Sequence, residues 1–150
     1  MAGGQWWLLA DGIEEECMFE DRPDLVARLE AEVVAWLTTV SPSGQPQPAP
    51  VWFVTTDQHF VVYSKDAVPR LRNLRANPKV ALHLNSDADG AGLTIIHGEA
   101  EIIGREVPPS ADPAYAAKYA QHLSRWDFTW ETYDEGYPVR LHIRPTRVRR

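Results

Sequence analysis

The chain reads as a mainly β, α+β protein, a small antiparallel barrel with helices packed on its outside and openings. Three observations predict this. Short apolar runs follow one another with tight Gly, Pro, Asp and Gln turns between them, a spacing that suits hairpins better than crossovers. Two later segments alternate apolar and polar residues at the period of a half-buried strand. Helical patterns number three or four, against six strands. With 150 residues, 44% of them hydrophobic, the chain is the size of one domain and can bury a single core. A barrel domain is expected over residues 21–150, preceded by an arm over 1–20.

The arm has no clear period and mixes Gly3-Gly4, Trp6-Trp7 and Glu14–Glu16. It reads either as a flexible tail or as a segment that packs on a partner subunit, because adjacent tryptophans left in water form a sticky patch. A first helix is predicted over Pro23–Ala31, with Asp21 as N-cap, Pro23 near the first helical position and Leu25, Val26 and Leu29 on one face. Strands follow at Val33–Val40, Pro48–Thr55 and His59–Ser64, the first two separated by the turn Ser41–Gly44. A basic helix carrying Arg70, Arg72, Asn73 and Arg75 ends at Asn77-Pro78, since a residue before proline avoids helical geometry. Lys79–Asn85 and Leu93–Ile103 form the next hairpin, with Val80, Leu82 and Leu84 turned one way. A long helix from Pro113 to about Trp126 carries Tyr115, Tyr119, His122 and Trp126 on one face, and a short helical piece covers Phe128–Tyr133. Tyr137–Val148 closes the set with Val139, Leu141 and Ile143 inward, six strands in all.

Composition narrows the function. A net charge of −6 argues against nucleic acid, whose affinity grows from many clustered cations. Screening within a Debye length of ~8 Å still permits one small anionic ligand beside a local basic cluster. The lone Cys17 allows no internal disulfide and suits a reducing cytoplasm. No apolar run approaches the roughly 20 residues that span a bilayer. The five histidines show no ligand spacing, so no metal site is expected. Asn85–Gly90 imitates half a calcium loop, but Ile96 stands where a bidentate Glu is required.

One segment concentrates donors. A strand ending in Tyr63-Ser64-Lys65 runs within a few residues into a helix that offers Arg70 and Asn73 three apart. Hydroxyl, ammonium, guanidinium and amide would then meet at one corner, and each charge-assisted bond to a phosphate contributes roughly 1.5–3 kcal/mol. The bland reading is a solvated basic helix face.

The blocks Leu37–Val40 with Gly44, Pro46-x-Pro48-x-Pro50-Val51-Trp52-Phe53, Tyr63-Ser64 and Arg70–Leu82 resemble the flavin-reductase split β-barrel superfamily that includes pyridoxamine 5′-phosphate oxidase. Within it the chain is most similar to the actinobacterial branch that uses the deazaflavin coenzyme F420. The likeness covers about Asp21–Arg147. It implies a six-stranded antiparallel Greek-key split β-barrel with flanking helices. It also implies a homodimer with the cofactor in a groove between subunits, phosphate at the strand-to-helix corner and ring along the second strand. Carried over by position, Ser64, Lys65, Arg70 and Asn73 hold the phosphate, while Gln47, Pro48, Ala49, Pro50, Val51 and Trp52 line the ring. Many relatives have Lys where this chain has Arg70, which exchanges a point charge for a planar fork. Trp52 either stacks on the ring or fills the barrel; Tyr115, Tyr119 and Trp126 either wall the pocket or pack in the core.

The implied activity is hydride transfer from reduced F420 to a small unsaturated acceptor such as an enone, quinone or tetrapyrrole. The alternatives are an FMN-binding oxidoreductase on the same barrel, or a protein that stores a cofactor or tetrapyrrole without turnover. Arg72, Arg75 and Lys79 stand where a longer deazaflavin tail would leave the pocket. No catalytic side chain is identified.

Overall fold

The computed structural model describes residues 19, 21–56 and 58–149, so the expected arm over 1–20 lies outside the described residues apart from Phe19. Helix α1 spans Pro23–Ala31 as predicted, although the residue at its N-cap is Arg22 and no side chain caps it. Asp21 is therefore one residue too early to cap. The strands are β1 (Ala35–Val40), β2 (Pro46–Val51), β3 (Phe53–Thr55), β4 (Phe60–Ser64), β5 (Lys79–His83), β6 (Ile95–Gly104) and β7 (Val139–Arg149). The remaining helices are α2 (Pro69–Ala76), α3 (Pro113–Tyr119) and α4 (Trp130–Gly136).

All seven strands belong to one curled antiparallel sheet in the order β2-β1-β5-β6-β7-β4-β3. Six strands were expected, and the difference is made at Trp52. What reads as a single strand over Pro48–Thr55 is two, because β2 pairs with β1 at one edge of the sheet and β3 pairs with β4 at the other. Trp52 is the only residue between them. The sheet must curl far enough for one residue to join its two edges.

Edge strand β2 carries Pro46, Pro48 and Pro50 opposite Val40, Thr38 and Trp36. Proline has no N–H to give to a ladder, so these positions point their ring nitrogens away from β1. The turn into β2 places Gly44 at φ +90°, in the left-handed region that glycine enters at no steric cost, and its N–H donates to Ser41 O across 2.8 Å. In β6, Gly98 sits at a bulge against β7, where a Cβ would come within 2.7 Å of Arg144 O.

Two apolar layers follow from strand alternation. Inside the curl, Leu37, Phe53, Phe60, Leu82, Ile96, Leu141 and Ile143 pack with Leu25 and Leu29 of α1 and Leu71 and Leu74 of α2, each fully buried Leu or Phe worth about 1.5–3 kcal/mol. The inward faces of β5 and β7 are those predicted. On the outside of β3 and β4, Val54, Val61 and Tyr63 meet Tyr115, Tyr119, Leu123 and Tyr133, so Tyr115 and Tyr119 are core residues. Helix α3 is shorter than expected: it starts at the Asp112 cap, whose side chain accepts from Tyr115 N–H, and stops at Tyr119. A separate 3-10 turn covers Ser124–Trp126, leaving Trp126 63% exposed. The short helix predicted over Phe128–Tyr133 begins later, at Trp130, where Thr129 and Thr132 form a capping box. Among the described residues no helix is long and apolar enough to cross a membrane.

Candidate functional site

Strand β4 ends at Ser64, which is fully buried between β3 and β7. Its hydroxyl donates to Lys65 O at 2.9 Å, which leaves the oxygen free to accept. Four residues after Lys65, Pro69 starts α2, its fixed φ suited to a first helical turn. The next residue, Arg70, turns back so that Nη1 donates to Ser64 Oγ across 3.3 Å. The predicted corner therefore brings Ser64, Lys65 and Arg70 together.

Asn73 is placed differently. The sequence offered it as an exposed donor, yet it is fully buried. Its Nδ2 donates to Thr39 Oγ1 at 2.9 Å and to Gln47 Oε1 at 2.7 Å, joining α2 to β1 and β2. Its Oδ1 is buried without a partner. An amide that spends both N–H groups inside the protein positions the helix that carries Arg70; it offers no donor to the corner.

Beside the corner lies a cavity of about 350 Å³, within the size range of small-molecule sites. Lys65 and Arg70 form its cationic end, and Pro50, Val51 and Trp52 form one wall. Tyr63, Trp126, Phe128, Tyr133 and Tyr137 supply an aromatic wall. Of the second-strand residues predicted to line a ring, Gln47, Pro48 and Ala49 do not line this cavity. Gln47 is engaged by Asn73, Pro48 is exposed and Ala49 is half-buried.

The aromatic wall is an ordered stack. Trp52 lies nearly parallel to Tyr119, with centroids 4.5 Å apart, and also stacks on Tyr133 at 5.2 Å. Tyr133 in turn stacks on Tyr137 at 4.6 Å, and its hydroxyl is 2.8 Å from that of Tyr115. Trp52 does not fill the barrel: it packs against the tyrosine layer outside β3 and β4 and borders the cavity. Burial pushes the Tyr63 phenol up to about 12 and those of Tyr115 and Tyr133 well above the ordinary range.

The cationic end is under-compensated. Arg70 forms none of the ion pairs among the described residues, and burial pulls its guanidinium below the usual value, with Tyr137 opposing. A partly desolvated cation without a counter-charge is costly, and an anionic group in the cavity would offset that cost. Lys65 is exposed, its ammonium 5.5 Å from the centre of the Tyr137 ring. A planar, largely apolar molecule with an anionic tail matches this arrangement.

Sequence reading missed Val34, Val68, Phe128, Tyr133 and Tyr137 as cavity residues. The one local signal was the i, i+4 tyrosine pair Tyr133 and Tyr137, a spacing that puts both rings on one side of a helix. Among the described residues no cluster of three or more His, Cys, Asp or Glu could hold a metal. The calcium-like loop is self-satisfied, with Asp87 Oδ1 accepting from the N–H groups of Asp89 and Ala91.

Comparison with known proteins bears on this geometry. The family model for pyridoxamine 5′-phosphate oxidase matches residues 22–149. No curated protein matches in sequence. Among solved structures, an F420 reductase is 25% identical, with 82% of this chain and 94% of that one covered and a TM-score of 0.62. An FAD-binding protein of Mesorhizobium loti is 20% identical, covering 83% and 87%, at a TM-score of 0.60. The haem storage protein HutZ of Vibrio cholerae is 18% identical, covering 84% and 90%, at 0.59. Neighbours of different function thus share the curled sheet, and with the family match extending over nearly all described residues, the chain belongs to the pyridoxamine 5′-phosphate oxidase family.

Proposed function

We propose that the chain is an oxidoreductase that binds reduced coenzyme F420 in the cavity beside Arg70 and serves hydride transfer to a small unsaturated acceptor, an enone, quinone or tetrapyrrole. The observation that carries this reading is the half-buried Arg70 guanidinium, bonded to Ser64 Oγ and without a carboxylate, at one end of an aromatic-walled cavity. Arg70, Lys65 and Ser64 would hold the phosphate, and Pro50, Val51 and Trp52 would flank the ring. When bound, the deazaflavin would supply the hydride and water the proton that completes reduction of the acceptor, so the protein needs no acid–base triad. Its own residues would orient the ring and limit solvent access to it: Trp52, Tyr133 and Tyr137 stack in order, and Trp126 and Phe128 border the cavity.

Two observations favour F420 over FMN. The F420 reductase is the most similar in sequence of the three relatives described above, and Arg72, Arg75 and Lys79 are exposed cations on and just after the helix that carries Arg70. The reading includes a homodimer in which a second copy completes the groove over the exposed Pro48 and Pro50, and a cytoplasmic location suited to a reduced coenzyme.

Titrating the purified protein with F420 and with FMN, followed by fluorescence quenching, tests the assignment. F420 should bind saturably, and its reduced form should be oxidised faster when menadione or cyclohexenone is added. FMN binding without F420 binding would replace the coenzyme; F420 binding with no acceptor reduction would make the protein a cofactor store.

A further inference from the structure

A second cavity, larger than the first at about 770 Å³, opens between α1, β3 and α3 and shares no lining residue with the one at Arg70. Its wall is apolar, built from Phe19, Val26 and Leu29, from Val54 of β3, and from Ala114 and Ala117 of α3. Two features of its polar lining stand out. Lys118 reaches across from α3 so that Nζ donates to Leu29 O at 3.1 Å and to Phe53 O at 3.0 Å, while sitting 3.9 Å from the centre of the Phe53 ring. An ammonium has three donors, so one N–H remains, and no carboxylate among the described residues lies within ion-pair distance. Thr55 stands two residues beyond Phe53 on the same face of β3, and its Oγ1 is buried with no partner.

We propose that this cavity is a ligand site for an amphipathic monocarboxylate, its hydrocarbon tail against the α1–α3 wall and its carboxylate on the remaining N–H of Lys118, with Thr55 Oγ1 as a second donor. One ammonium and one hydroxyl match a singly charged head. Glu30, which borders the same cavity, repels a phosphate dianion more strongly than a monoanion. Burial lowers the Lys118 ammonium to about 8, with Glu32 and Glu30 pulling the other way, so it is charged at neutral pH. A bound carboxylate adds a counter-charge in direct contact, which Glu32 and Glu30 supply only from beyond ion-pair distance.

Decanoate is a suitable probe, titrated into the full-length protein by calorimetry. It should bind saturably, once per chain, with affinity steady from about pH 6, where the carboxylate is ionised, to 8, and falling as Lys118 loses its proton above that. Ala117→Trp, which fills the cavity and spares every hydrogen bond of Lys118, should weaken decanoate at least tenfold while the circular dichroism spectrum is unchanged. Lys118→Gln should weaken it and remove the pH dependence; if that variant is unstable, decanol binding much more weakly than decanoate reports the head-group contact instead. Arg70→Ala should leave decanoate affinity unchanged, which separates this site from the cofactor assignment. Failure of decanoate to saturate, equal binding by Ala117→Trp, or decanol binding as tightly as decanoate would overturn the proposal.

Discussion

Arg70 Nη1 meets Ser64 Oγ at 3.3 Å, although one residue lies in the first turn of a helix and the other ends a buried strand. The contact aims a guanidinium at the cavity without neutralising it. Arg70→Ala should therefore weaken a phosphate-bearing cofactor about 10- to 100-fold, the equivalent of roughly 1.5–3 kcal/mol for a charge-assisted bond. The melting temperature of the cofactor-free protein should hold or rise, because an uncompensated cation has been removed. Arg70→Lys should recover part of the affinity. Parallel fluorescence titrations and thermal melts check all three, and an unchanged affinity would count against the corner.

Asn73 predicts the opposite pattern. Asn73→Ala leaves Thr39 Oγ1 and Gln47 Oε1 without their donor and should cost about 1–3 kcal/mol of stability. Urea unfolding reads the loss directly. Any drop in cofactor affinity should follow from displacement of α2, so it should be smaller than that of Arg70→Ala at a temperature where both variants are folded.

Tyr119 ties three backbone groups to one phenol. Its hydroxyl lies 2.9 Å from Val33 O and 2.8 Å from Phe53 O, and it accepts from Phe53 N–H at 2.7 Å. Tyr119→Phe keeps the ring on Trp52 but strands the buried Phe53 N–H, at a cost of about 1–3 kcal/mol. Denaturant melts should show the loss, while near-ultraviolet circular dichroism from Trp52 should persist.

His59 and His142 stack with centroids 4.0 Å apart, and His142 Nε2 is buried without a partner. Burial lowers both, His142 from 6.5 to about 4, with Arg140 adding to the effect on each and Asp112 opposing it at His142. The unfolded chain then takes up protons before the folded one does as pH falls. Stability should be full above pH 6.5 and decline as pH falls below it, with the His142 share lost by about 4. His142→Gln should flatten the decline in a series of urea melts across that range.

Local chemistry made some elements readable and hid others. Proline at the start and the apolar face of Leu25, Val26 and Leu29 marked α1, and strict alternation fixed the inward faces of β5 and β7. Trp52 carries no turn signal, so the change of partner between β2 and β3 was invisible; only the long-range requirement that both edges find neighbours creates it. Helix α3 stops with neither Gly nor Pro to mark the place. At the site, Ser64, Lys65 and Arg70 were legible because strand end and helix start adjoin in sequence. The burial of Asn73 was not, since a polar residue between Leu71 and Leu74 reads equally as solvent-facing. Tyr133 and Tyr137 come to the cavity from an element far along the chain; their i, i+4 spacing puts the two rings together but does not say against which strand they pack.

The prolines of β2 have a consequence for colloidal behaviour. Pro46, Pro48 and Pro50 occupy each alternate position whose nitrogen faces away from β1, so that rim presents carbonyls and not one amide hydrogen along the run. A stray strand from another molecule finds acceptors only and cannot zip on in register, and the growth of fibrils from this border is blocked by covalent structure rather than by charge.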